Sequence, residues 1–209
     1  MKKLLLVVAL ITGISATKAQ SDKFTSAMEK NLSLMDSAKT SADLISVAAA
    51  FERIGDAEKN QWLPYYYAGL ALSTAGWLDQ TMDKDANAER IKKLCDKAAA
   101  INDNAEIYVV RNMAATQQML VNPQERWMSY GQEASSDLDK GLKLDPNNPR
   151  IYYLQGMSLF NTPEQFGGGK DKAKPVLEKA VALFKAEQPK PLYPHWGQKQ
   201  TEEALAKCQ

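Results

Sequence analysis

The 209-residue sequence has one histidine, His195, and two cysteines, Cys95 and Cys208. So few soft ligands exclude a structural zinc site of four Cys/His ligands within one chain. A lone histidine after Pro194 reads as a surface residue at a helix start and not as a catalytic base. The cysteines read either as a buried thiol on a helix core face plus a loose terminal one, or as a disulfide. Excess positive charge is also missing. The formal charge is +1, but Lys2, Lys3 and Lys18 precede Ala19, so 26 basic residues less these three leave 23 against 25 acidic ones. That balance excludes nucleic acid as a partner, because phosphate neutralisation supplies most of such affinity. No Lys/Arg cluster marks a membrane-surface site. Beyond the first residues no apolar run is long enough to cross roughly 30 Å of hydrocarbon.

Catalytic motifs are lacking too. No G-x-S-x-G elbow occurs. Gly167-Gly168-Gly169-Lys170 has Asp171 where a phosphate loop needs Ser or Thr, and reads as a flexible turn between helices. Asp83, Asp85 and Asn87 open like a calcium loop, but Ala88 stands at the turn glycine and Leu94 at the bidentate acid, so they read as a solvated turn. The expectation is a protein that is not an enzyme and holds no metal or cofactor.

What is present begins with a signal peptide over 1–19. Lys2 and Lys3 form its charged end, Leu4 to Ile14 its apolar run and Thr17-Lys18-Ala19 its small-residue cleavage site. Cleavage near Ala19 predicts a periplasmic or secreted protein, with a single helical-repeat domain over 20–209. β-alternation is absent. Ala, Leu, Lys, Glu and Met dominate, which favours helices. Apolar residues recur every three or four positions along most of the chain. Ser41 is the expected N-cap of the second helix and Gly55 its end; Pro64 suits a first helical turn. Residues 79–87 and the proline-rich QPKPLYP run read as irregular. About four helix pairs follow, at 22–55, 62–101, 105–144 and 149–186, with a capping helix over 195–208 that carries Trp196 and Leu205.

The pairs share a register. Ala134, Leu138 and Gly141 are spaced four then three, as are Ala173, Leu177 and Ala180, and as are Val47, Phe51 and Ile54. Eleven residues separate Gly141 from Tyr152, and eleven separate Ile54 from Tyr65. Gly156 and Leu159 then stand to Tyr152 as Gly69 and Leu72 stand to Tyr65. Small residues at such crossings let helix backbones approach closely. Triplet ends recur at 44, 43 and 39 residues (Ile54, Ala98, Gly141, Ala180), and the extra length falls between the two helices of a pair. Loops accept such growth at small entropic cost.

This pattern, with Pro146 in the turn before Tyr152, resembles the tetratricopeptide repeat family, whose unit is about 34 residues. The resemblance implies an all-α, right-handed superhelix of antiparallel helix pairs closed by a C-terminal capping helix. It also implies a non-catalytic scaffold that binds a partner protein or peptide on its concave face. By that logic Tyr66, Leu70, Val109, Met113, Arg150, Tyr153 and Met157 face inward, either as groove lining or as packing between helices. The stretch PEQFGGG is similar to the periplasmic tetratricopeptide component of tripartite transporters, which implies a solute-binding accessory as the alternative function.

Overall fold

The structure is a computed structural model that describes residues 22–208, so the expected signal peptide at 1–19 lies outside the described residues. Every regular element among them is helical. Helix α1 covers 22–37, followed by α2 (Ser41–Glu58), α3 (Leu63–Leu78), α4 (Lys84–Ile101) and α5 (Ala105–Val121). A short α6 (Pro123–Arg126) runs through a π-helical turn at Trp127–Gly131 into α7 (Gln132–Leu144). Then come α8 (Pro149–Asn161), a 3-10 turn at Glu164–Phe166, α9 (Lys170–Ala186) and α10 (Gln198–Ala206).

Helices that follow one another along the chain pack together, and polar side chains cross the seams to backbone carbonyls. Asn87 on α4 donates to the Leu72 carbonyl at 3.1 Å and Asn112 on α5 to that of Ala134 at 2.8 Å. Helices α3 and α5 run side by side in parallel, where Gln117 donates to the Ser73 carbonyl at 2.8 Å. Small residues lie at the crossings. A Cβ on Gly141 would stand 2.7 Å from Ile151, and one on Gly156 2.5 Å from Leu177. Ala134, Leu138, Ala173, Leu177 and Ala180 are buried with them, as are Tyr65, Gly69 and Leu72. Tyr152 and Leu159 are half-buried, and Pro146 is exposed, its carbonyl accepting from Tyr152 at 2.8 Å.

The most enclosed element is α3. Its sequence, LPYYYAGLALSTAGWL, is apolar on every face, and it is buried from Leu63 through Ser73. A helix apolar all round belongs inside a protein. Its neighbours are α2, α4, α5 and the segment before α10.

Several expected boundaries move. Thr40, not Ser41, caps α2, in a capping box with Asp43. Gly55 does not close that helix but sits inside it, where a Cβ would meet the Tyr65 ring at 2.7 Å. The acid-rich stretch at 83–87 is no solvated turn: it starts α4. There Asp83 caps the helix, Asp85 pairs with Arg126 at 2.8 Å, and Asn87 is turned inward to Leu72. The Gly167–Gly169 turn is held by backbone hydrogen bonds and is not a loose link. Cys95 and Cys208 are both free and both buried; Cys208 packs against Ala173, Leu177 and Ala204, so the terminal thiol is not loose. Burial pushes the Cys95 thiol up to about 12, which leaves it inert.

One buried acid yields a prediction. Asp137 on α7 is 2% exposed; its nearest cation, Arg111 Nε, is 3.6 Å away, and its Oδ2 makes no hydrogen bond. Burial raises its pKa from 3.8 to about 6 despite Arg111. The folded state therefore holds this proton more tightly than the unfolded chain does. The stability contributed is complete below 3.8 and is lost as pH rises through about 6. Asp137→Asn is expected to raise stability at pH 7.5 by about 1–2 kcal/mol and to leave it unchanged near pH 4. Urea midpoints of both proteins at the two pH values check this.

Candidate functional site

Residues 187–197, between α9 and α10, lie back across the faces of α3 and α8. Tyr67 donates to the Leu192 carbonyl at 2.8 Å, Arg150 Nη2 to the Pro194 carbonyl at 2.7 Å, and Trp196 Nε1 to the Tyr66 hydroxyl at 2.8 Å. Tyr193 meets Trp62 edge to face, with centroids 5.6 Å apart. Pro189, Pro191 and Pro194 keep this closing segment extended, since proline has no N–H for a helix ladder. Leu192 sits at φ 66, a conformation that leucine adopts only when its surroundings hold it there.

Under the segment lies a buried charge cluster. Arg150, 0% exposed, stands in the first turn of α8 behind the N-cap Asn148. Its guanidinium grips Glu187 with two bonds, 2.7 and 3.0 Å, and reaches Glu106 at 3.1 Å. Glu106 also accepts from Asn148 at 2.6 Å and from Tyr66 at 3.1 Å. The arginine lies over the rings of Phe184 and Trp196 at 5.5 and 5.7 Å. Burial raises the Glu106 carboxyl pKa, and the Arg150 charge works against that rise. Burial alone would lower the Arg150 pKa, but the two carboxylates more than offset it and hold the guanidinium charged. Burial lifts the Tyr66 and Tyr67 phenols well above their ordinary range, so both remain neutral donors.

Two clefts flank the segment. One, of about 390 Å³, opens onto Trp62, Glu106, Asn148, Glu187, Lys190 and Tyr193. The other, of about 540 Å³, lies between α1 and the segment; it is lined by Leu32, Leu192, Tyr193, Lys190 and His195, with Glu29 and Asp36 on the α1 side. His195 precedes α10 and lies in irregular backbone, not at a helix start. A third feature is an apolar edge at the far ends of α3 and α5. Trp77, Leu78, Leu120, Val121, Trp127 and Met128 are all exposed there, Met128 by 70%. Arg126, beside Trp127 in the chain, donates to the Gln118 carbonyl at 3.0 Å and pairs with Asp85.

The seven residues expected on an open inner face are placed differently. Tyr66, Leu70, Val109 and Arg150 are buried. The closing segment covers Tyr66 and Arg150, because their polar atoms are its anchors. Met113 is half-buried between two core clusters, and Tyr153 and Met157 pack toward α9 and α10. Of the seven, Tyr66 and Arg150 share the polar cluster through Glu106, Val109 and Met113 share one apolar cluster, and Tyr153 and Met157 share another. Nothing in the sequence singles out Glu106, Glu187 or Asn148 for this cluster, and Trp196 is expected there only on the capping helix. Asn148 carried a legible signal as an Asn before Pro at a helix start, but nothing local links Glu106 to Glu187.

No family model matches the chain, and no curated protein sequence does. Among solved structures it is similar to the HusA haemophore from Porphyromonas gingivalis. The two are 36% identical, with a TM-score of 0.78, and the match covers 88% of this chain and 92% of that one. The likeness thus spans nearly the whole of both chains. The chain belongs to the family of that haemophore.

Proposed function

We propose that this chain is an exported, non-enzymatic haem-binding protein. The observation that carries the reading is the likeness to a haemophore over nearly the whole of both chains. The site chemistry is compatible: clefts beside apolar and aromatic walls, with one lysine and one histidine within reach. A small planar ligand takes the place of the partner protein expected on the inner face, which the chain's own closing segment fills. This is closer to the solute-binding alternative than to a scaffold. Export rests on the Lys2-Lys3 start, the apolar run and the Ala19 junction, and no helix among the described residues is long and apolar enough to cross a membrane. We further read the antiparallel pairs as a tetratricopeptide-like superhelix with α10 as its cap, on the strength of the shared register of small and aromatic residues.

The test is a titration of ferric haem into the chain from Gln20 onward. A saturable shift of the Soret band supports the reading, and an unchanged spectrum of free haem would sink it. Binding also raises stability by RT ln(1 + [L]/Kd). Free haem at a hundredfold excess over Kd adds about 2.7 kcal/mol, which for a chain of this length raises Tm by roughly 5–10 °C. Calorimetric scans with and without haem measure it.

A further inference from the structure

We propose that the glycine-rich turn between α8 and α9 docks on an anionic phospholipid bilayer, seating Phe166 among the lipids while the lysines that open α9 face the headgroups. The proposal stands apart from the haem-binding reading and uses no residue of either cleft. Phe166 is 75% exposed, more than any other large apolar side chain among the described residues. No loose loop carries it. Phe166 N donates to the Pro163 carbonyl, Gly167 N to that of Glu164 and Gly169 N to that of Leu159, each at 2.9 Å. The turn thus holds the ring outward on a fixed backbone. A ring left in water contributes no burial to the fold, and on so fixed a backbone docking it orders little more of the chain.

The charge beside the ring is positive. Lys170, Lys172 and Lys174 are all exposed, and none of them forms an ion pair among the described residues. Lys172 Nζ donates to the Gly167 carbonyl at 3.0 Å, which puts its ammonium against the turn. Lys170 and Lys174 are one helical turn apart and share a face. Cys208 packs on Ala173 and Leu177, which brings its exposed chain neighbour Lys207 to the same end of the molecule. Glu164 in the turn and Asp171 at the start of α9 are the acids among these residues, so cations outnumber carboxylates there. In the sequence the lysines alternate with Asp171 and Ala173 and mark no cluster; the fold adds Phe166 and Lys207 to them. Helix physics runs against their placement. The N-terminal end of a helix carries partial positive charge, so acids stabilise it and lysines do not. Helix α9 starts after Gly169 with no side-chain cap and with Asp171 as its first-turn acid. An anionic surface offsets what the lysines cost the helix. An apolar wedge beside ammonium groups matches a bilayer, whose apolar interior lies beneath charged headgroups. A second copy docked symmetrically would bring the same positive charge to the interface.

The experiment is co-sedimentation of the chain from Gln20 onward with vesicles of phosphatidylcholine alone, or of phosphatidylcholine mixed equally with phosphatidylglycerol. The wild type is compared with Phe166→Ser and with Lys170→Glu/Lys174→Glu. Lys23→Glu/Lys30→Glu, at exposed positions on α1, is the control of equal charge change. Far-ultraviolet dichroism confirms that each variant is folded. The expected result is that the wild type and the control bind the mixed vesicles and not phosphatidylcholine alone. Phe166→Ser weakens binding about tenfold, as for an aromatic ring buried on docking. Lys170→Glu/Lys174→Glu weakens it by at least about 25-fold, since each lysine near an anionic surface contributes roughly fivefold. Inorganic phosphate at matched ionic strength leaves binding unchanged, which separates a lipid surface from a site for free phosphate. A wild type that sediments with neither vesicle, or equally with both, overturns the proposal. So does a control that loses as much as Lys170→Glu/Lys174→Glu, because bulk charge then explains the binding. Self-association in the ultracentrifuge that Phe166→Ser abolishes, without vesicle binding, would overturn it in favour of a second copy on the turn. None of these outcomes bears on the haem titration, so either reading can fail alone.

Discussion

Arg150→Met is expected to destabilise the folded chain by about 3–5 kcal/mol, the range for deleting one partner of a buried ion pair. The reason is what the substitution leaves behind. Burial raises the Glu106 carboxyl pKa and Arg150 opposes that rise, so without Arg150 the buried carboxyl group has no cation beside it. Glu187 loses both of its bonds to the guanidinium, and the Pro194 carbonyl loses its donor. Methionine replaces the volume of the stem but none of the five donors. Arg150→Lys is expected to recover only part of the loss, since one ammonium cannot bridge Glu106, Glu187 and Pro194 as a planar fork does. Adding Glu106→Gln and Glu187→Gln to Arg150→Met removes the stranded charges and should recover a further part. Denaturant midpoints of the four proteins decide the matter. If Arg150→Met costs less than about 1 kcal/mol, the cluster is not what fastens the closing segment to the stack.

The same cluster shows why the sequence reveals some of this molecule and not the rest. Apolar periodicity marks the face of each helix, because that face is set by residues three and four apart. It marked α7, α8 and α9 well, and their small residues do lie at crossings. It cannot say which face receives which partner. Tyr66 reads as inward-facing, yet its partner Trp196 is 130 residues away, and the Leu192 carbonyl that Tyr67 reaches is 125 away. Three prolines announce that the segment is extended, but not that it returns over α3. Arg150 read as an interface anchor because arginine often is one. Its burial depends on two acids, 44 and 37 residues distant, whose charges look ordinary in the sequence. Glycine misled in a similar way. In the sequence Gly55 reads as a helix end, because helices often stop at glycine. Inside α2 it instead makes room for the Tyr65 ring, and it takes the neighbouring helix to show this.

The Gly167-Gly168-Gly169 turn gives the second large prediction, and here the three glycines separate by mechanism. Gly167 and Gly169 have φ 90 and 103, whereas Gly168 needs no unusual φ. The middle residue is the most constrained all the same. A Cβ on Gly168 would fall 2.1 Å from the Thr162 carbonyl oxygen and 2.6 Å from that of Leu159. Both oxygens are backbone at the end of α8, and the Leu159 oxygen accepts from Gly169 N at 2.9 Å. An alanine here must therefore move the end of α8 or break the bond that closes it. At Gly167 a Cβ meets nothing nearer than the Lys172 Nζ at 4.0 Å, so only the backbone conformation opposes it. Gly168→Ala is expected to cost about 3 kcal/mol, at the upper end for forcing atoms into filled space, and Gly167→Ala about 1–2 kcal/mol. Gly167→Asn should cost less still, because asparagine tolerates the left-handed region. Gly169→Ala lies between, since its Cβ would meet the Glu164 side chain at 2.6 Å and a side chain can swing aside. Urea unfolding of the four variants gives the order directly. If Gly167→Ala proves as costly as Gly168→Ala, backbone conformation governs the turn and not the steric seal against α8.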